Sequence, residues 1–164
     1  RARIYLLCGA LKGDKTELVV EKATELGVYK IGVFSSEYCA AFMSANKMER
    51  LNKVAREAAK QCMRSLAPEV VYFENLNDAL QSAQDYENKL FACEFAERSD
   101  TDLKNIKDCA AIVVGSEGGF SEAEFKLARS LGFSQITLGK RILRAETAAI
   151  TLTSLAAFAL GELG

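Results

Sequence analysis

The run Ala-Ala-Ile-Val-Val-Gly at residues 110–115 constrains the fold more than any other stretch of the chain. A strand with one wet face alternates polar and apolar side chains. A run with no alternation belongs near the centre of a parallel sheet, covered on both faces. Shorter apolar runs at residues 4–8, 31–34, 70–73, 90–95 and 136–138 also have strand character, and helical patterns separate most of them. That alternation implies one α/β domain with a mostly parallel sheet and helices on both faces. The 164 residues suit a single domain with a substantial core.

The helices can be placed by their ends. Asp14 and Glu17 have the spacing of an N-cap and its capping-box partner, and Gly27 supplies a stop. Ser121 and Glu124 repeat that spacing, with Phe120 and Phe125 at hydrophobic-staple positions and Gly132 at the far end. The longest helix is expected over residues 46–67, closed by Pro68. Met48, Leu51, Val54, Ala55, Ala58, Cys62 and Leu66 fall on one face of it. Lys53, Arg56, Lys60 and Arg64 fall on the other, with Arg50 at its edge and Gln61 at the border. That basic stripe is either a solvated face, broken by Glu49 and Glu57, or a surface that meets phosphates. A polar helix is expected near residues 76–84 and one turn within 100–107. A small-residue helix begins at about Ala145. Residues 35–45 form a polar-aromatic loop long enough to be functional.

Composition removes several classes of function. The net charge of −1 means that any polyanion contact needs a local basic patch. With no histidine, Ser-His-Asp and Cys-His catalysis are excluded, and no metal site is expected. The five cysteines lack close metal-ligand spacing, and Cys8, Cys93 and Cys109 lie in apolar runs where a free thiol packs as a small hydrophobe. No apolar run reaches membrane-spanning length, so the expectation is a soluble cytoplasmic protein without a membrane partner.

Two glycine-containing loops carry the candidate chemistry. Gly115-Ser-Glu-Gly-Gly follows the central strand but lacks the GxGxxG spacing of a dinucleotide fold. Gly139-Lys140 is followed by arginine, and Ser134 stands where a P-loop would have its first glycine. Gly115, Gly118 and Gly119 let backbone approach a ligand, and Glu117 between them can grip a cation or orient a neighbouring loop. The second loop, residues 138–144, mixes apolar side chains with Lys140, Arg141 and Arg144, so a flat adenine would fit against it. The plainer readings are a tight turn without a ligand for the first loop and an Arg141–Arg144–Glu146 ion-pair network for the second.

At these loops the sequence resembles a known family. Gly115-Ser-Glu-Gly-Gly-Phe-Ser and Leu138-Gly-Lys-Arg-Ile-Leu-Arg-Ala-Glu-Thr-Ala are similar to the signature loops of the ribosomal small subunit methyltransferase E family, in the SPOUT superfamily. Glu21-Lys-Ala-Thr-Glu-Leu-Gly-Val and Ala55-Arg-Glu-Ala-Ala-Lys-Gln-Cys-Met-Arg extend the likeness over essentially the whole chain. The resemblance implies transfer of a methyl group from S-adenosylmethionine to N3 of a uridine in 16S rRNA of the small ribosomal subunit. It implies a C-terminal trefoil knot, with residues 1–164 forming the catalytic domain, and a homodimer joined through the knot and the last helix. It also implies that an N-terminal RNA-binding β-barrel, usual in the family, is absent from this chain. The cofactor would be held by Gly115, Glu117, Gly118, Gly119, Leu138, Gly139, Arg141, Ile142, Leu143 and Arg144, with Glu94 closing one side. Two short stretches depart from the family pattern. Ser116 stands where proline is usual, and Tyr38-Cys39 replaces Arg-Ser, so no substrate role is carried over to residues 35–45.

The reaction itself sets requirements. Uridine N3 must lose a proton to attack, so a cation is needed near the developing anion and a carboxylate to orient or accept the proton. Arg144 or Arg64 is the candidate stabiliser, and Glu117 or Glu146 the candidate base or orienter. Arg56, Lys60, Gln61 and Arg64 are the candidate rRNA contacts, from the motif match and the basic face together. Two alternatives remain at this point: a knotted ribose 2′-O-methyltransferase, and a non-catalytic nucleotide-binding or dimerisation module.

Overall fold

The computed structural model describes residues 3–93 and 99–163. Its elements follow the chain as β1 (Arg3–Gly9), α1 (Lys15–Glu25), β2 (Lys30–Phe34), α2 (Ala45–Gln61), β3 (Glu69–Phe73) and α3 (Leu76–Gln81). Then come β4 (Asn88–Ala92), a 3-10 turn at Leu103–Asn105, β5 (Cys109–Val114), α4 (Glu122–Ser130), β6 (Ser134–Ile136) and α5 (Ala145–Ala159). The six strands form one sheet in the order β3-β2-β1-β5-β4-β6, and every recorded pairing is parallel. The apolar run at 110–115 accordingly lies at the centre, paired to β1 on one side and β4 on the other.

The period-2 rule divides the core in two. Ile4, Leu6, Cys8, Ile112 and Val114 point to the face covered by α1, α2 and α5. Tyr5, Leu7, Ala111 and Val113 point to the face covered by α3 and α4. Successive side chains of a strand alternate between faces, so a central strand covered on both must be apolar throughout.

Two helix ends differ from expectation. At α1 the Asp14 side chain makes no capping hydrogen bond. The Glu17 carboxylate instead accepts from Arg50 Nε at 3.0 Å, and the Thr16 hydroxyl organises the turn by accepting from the Leu11 N–H at 2.9 Å. The longest helix ends at Gln61, well before Pro68. Met63 adopts φ +65°, and the N–H groups of Met63 and Arg64 return to the carbonyls of Lys60 and Ala59 at 3.2 and 2.8 Å. This is a Schellman closure with methionine in the left-handed position where glycine is usual. It turns Leu66 out to solvent rather than onto the buried face.

Candidate active site

The sheet has one end where helices begin and loops gather. There, β4, β5 and β6 end at Ala92, Val114 and Ile136, and all three residues line a cavity of about 330 Å³. Open parallel sheets take ligands at this end, beyond the carboxyl termini of the strands. The cavity is walled on one side by the glycine loop after β5 and on the other by residues 137–144 between β6 and α5.

Local structure explains how each wall is held. The glycine loop closes with the Gly119 N–H donating to the Ser116 carbonyl at 3.0 Å, and enters α4 through a full capping box. The Ser121 and Glu124 pair exchange both hydrogen bonds, and the staple rings of Phe120 and Phe125 meet edge to face at 5.9 Å. Below the loop, a Cβ on Gly9 would stand 2.6 Å from the Ser116 nitrogen, so only glycine admits this approach of β1 to the loop. The other wall is tied down where the Thr137 N–H donates to Ser99 Oγ at 3.0 Å. It ends at Arg144, the N-cap of α5, whose side chain makes no capping bond. The first turn of α5 therefore presents backbone N–H groups at the cavity, which favours a negatively charged group there.

A charged cluster joins the walls. Glu117 Oε2 accepts from the Lys12 N–H at 3.0 Å and lies 3.8 Å from Lys15 Nζ. Glu117 thus both grips a cation and orients the loop after β1. The same ammonium lies 3.9 Å from Glu146 Oε2. Glu146 Oε1 is buried and has no hydrogen-bond partner among the described residues, and the same holds for Ser116 Oγ. Under the loop, burial pushes the Cys8 thiol up to about 12, with smaller contributions from Glu117 and Cys39. Cys8 is a packed, neutral thiol rather than a nucleophile.

The cavity brings together Gly115, Glu117, Gly119, Leu138, Gly139, Arg141, Leu143, Arg144 and Glu146. Ile142 is exposed, and Gly118 turns its open side to the loop after β2, where a Cβ would be 2.2 Å from the Tyr38 carbonyl oxygen. Glu94 lies outside the described residues. Arg56, Lys60 and Gln61 are exposed on α2, away from these walls. Arg64 is not with Arg144. Its Nη1 donates to the Thr24 carbonyl at 2.8 Å, near the end of α1. At about 1.5 Å per residue, Thr24 is roughly 14 Å along that helix from Lys15, which lines the cavity. Lys15 itself was not singled out by sequence reasoning. The signal available was a lysine just after Gly13, in the first turn of a helix that begins at the ligand end of the sheet.

The cavity suits an adenosylated ligand. Its volume is in the small-molecule range, its walls are apolar at Val114, Ile136, Leu138 and Leu143, and a carboxylate oxygen unpaired among the described residues is available to a donor. Fold and site together define a parallel α/β domain that takes a small ligand between two loops at the strand ends. The chain belongs to the RNA methyltransferase domain family, whose model matches residues 1–157. It is 35% identical to a ribosomal RNA small subunit methyltransferase E from Mesomycoplasma hyopneumoniae, over 92% of this chain and 67% of that one. It is 31% identical to the Bacillus subtilis protein of the same name, over 89% of this chain and 62% of that one. The crystal structure of the Neisseria gonorrhoeae ribosomal RNA small subunit methyltransferase E bound to S-adenosyl methionine superimposes with a TM-score of 0.84 at 27% identity. That match covers 97% of this chain and 67% of the other, so the chain spans about two thirds of the relatives it matches.

Proposed function

We propose that the chain is the catalytic part of an S-adenosylmethionine-dependent methyltransferase acting on N3 of a uridine in 16S rRNA of the small ribosomal subunit, in the cytoplasm. The observation that carries this reading is the cavity itself. It lies at the strand ends, between the two signature loops, with one buried oxygen of Glu146 lacking a partner among the described residues. Membership of the family and the cofactor-bound relative support it.

When bound, S-adenosylmethionine supplies a methyl group on a positively charged sulfur, an electrophile whose leaving group needs no acid. The chain's task is then to position the base and manage one proton. Backbone of the glycine loop and of residues 137–144 would hold the adenosine, and the N–H groups opening α5 would favour the carboxylate end. Arg144 lines the cavity, is exposed and is free of a capping role, so its guanidinium can face the imide as N3 loses its proton. Glu146 is the better orienter or base of the two carboxylates, because Glu117 is already engaged by the Lys12 N–H. Arg64 is tied to α1, so within one chain the stabiliser is Arg144.

The same reading includes the trefoil knot and a homodimer through the last helix. Leu155 and Phe158, exposed apolar side chains on α5, support such an interface. The test is methylation of small subunits from a strain lacking the modification, with the methyl position mapped by mass spectrometry. N3-methyluridine is expected. A ribose methyl, or no transfer by a chain that binds the cofactor, would contradict the proposal. In single turnover, Arg144→Ala should slow transfer about a hundredfold or more.

A further inference from the structure

We propose that Tyr38 and Phe42 form a stacking platform for unpaired RNA bases at the mouth of the cavity, an inference that rests on the RNA-methyltransferase reading. Residues 35–44 leave the carboxyl end of β2, on the same side of the sheet as the cavity, and are pinned at several points. The Cys39 N–H donates to the Ser36 carbonyl at 3.1 Å, and its thiol donates to the carbonyls of Ala10 and Ala41, each at 3.2 Å. The Glu37 N–H donates to Glu124 Oε2 at 3.1 Å, so the residue that caps α4 also holds this loop. Tyr38 packs its backbone and Cβ on Gly118, between two residues that line the cavity.

A loop held this firmly nevertheless leaves Tyr38 52% and Phe42 69% exposed. Lys47 Nζ stands 5.6 Å over the Phe42 ring and donates to the Phe42 carbonyl at 3.3 Å. Arg141 and Arg144 are on the cavity's other wall. Planar apolar faces interleaved with cations are what single-stranded nucleic acid requires, since every base has a face to stack and every nucleotide a charge to neutralise. There is also a need for such faces. A base delivered into a cavity leaves its stack, and its neighbours lose a partner. Two exposed rings on a loop pinned against the glycine loop at Gly118 would replace it.

The test is fluorescence anisotropy with a labelled, short, uridine-rich single-stranded RNA, using the parent chain, Tyr38→Ala, Phe42→Ala and Tyr38→Phe. Alanine at 38 keeps the Cβ that packs on Gly118, and melting midpoints verify folding. Each alanine variant should bind about fivefold more weakly or worse, while Tyr38→Phe stays within about twofold. Cross-linking the parent chain to 4-thiouridine RNA should label the peptide containing Tyr38 and Phe42. The proposal is overturned if the parent does not bind the RNA, if the alanine variants bind it equally well, or if Tyr38→Phe loses as much as Tyr38→Ala. It is also overturned if cross-links are confined to the outer face of α2, or if the alanine variants only dissociate a dimer in sedimentation. A parallel S-adenosylhomocysteine titration separates the two readings. Ring-dependent RNA binding without cofactor binding would sink the methyltransferase assignment and leave the platform standing.

Discussion

Single atoms decide much of the site. Lys15 Nζ lies between Glu117 and Glu146 at distances too long for hydrogen bonds, so it balances charge without filling the Glu146 oxygen that has no partner among the described residues. Gly9 is equally specific, because its missing Cβ makes room for the Ser116 nitrogen. Gly9→Ala should displace the glycine loop, cost about 1–3 kcal/mol in chemical unfolding, and weaken S-adenosylhomocysteine binding roughly tenfold or more. The Cys8 thiol gives a pH signature. Its folded pKa is raised by burial from 9.0 to about 12, so an unfolded chain releases this proton first. The stabilisation is complete below pH 9.0 and is lost as pH climbs toward about 12. Tyr5 and Tyr86, also raised by burial, act in the same direction from 10.0 upward, so the thiol's share is read below that. Urea unfolding should show stability falling by up to about 1.4 kcal/mol per pH unit, with Cys8→Ala flattening the slope between 9.0 and 10.0.

At the scale of elements, sequence signals were sound where a local pattern determined the geometry. The Ser121–Glu124 box and Phe120–Phe125 staple formed as spaced, because both ends of each interaction lie within six consecutive residues. Ser121→Ala should therefore cost about 1 kcal/mol, measurable by denaturant titration. The Asp14–Glu17 box did not form, since Arg50, from a helix distant in sequence, offers Glu17 a charged partner. The end of α2 was misplaced for a related reason. Pro68 marks where a helix cannot continue, whereas the chain turns earlier at Met63, a non-glycine residue at φ +65° with its side chain 92% exposed. Met63→Gly should stabilise the protein by about 1 kcal/mol, since the left-handed strain disappears and little packing is lost. A destabilised variant would mean that the methionine side chain has a contact absent from this conformation.

For the molecule as a whole, the unalternating run at 110–115 was enough to read a parallel sheet with two covered faces, and the two loops were enough to point to the cavity at its end. What could not be read was which ends of the helices share that location. A helical wheel puts Arg64 on the basic face, but α2 ends at Gln61 and the chain reverses at Met63, so Arg64 leaves that face for the Thr24 carbonyl, while the start of α1 brings Lys15 to the cavity. Tyr38 was illegible in the same way, because its neighbour Gly118 is remote in sequence. The proposed methyl transfer depends on the cavity holding an adenosylated ligand. Isothermal titration with S-adenosylhomocysteine measures that directly. Saturable binding by the parent chain, weakened roughly tenfold or more by Gly9→Ala in protein that remains folded, is the predicted result. A folded parent chain that gives no binding heat and no shift in melting midpoint with the ligand would contradict the account.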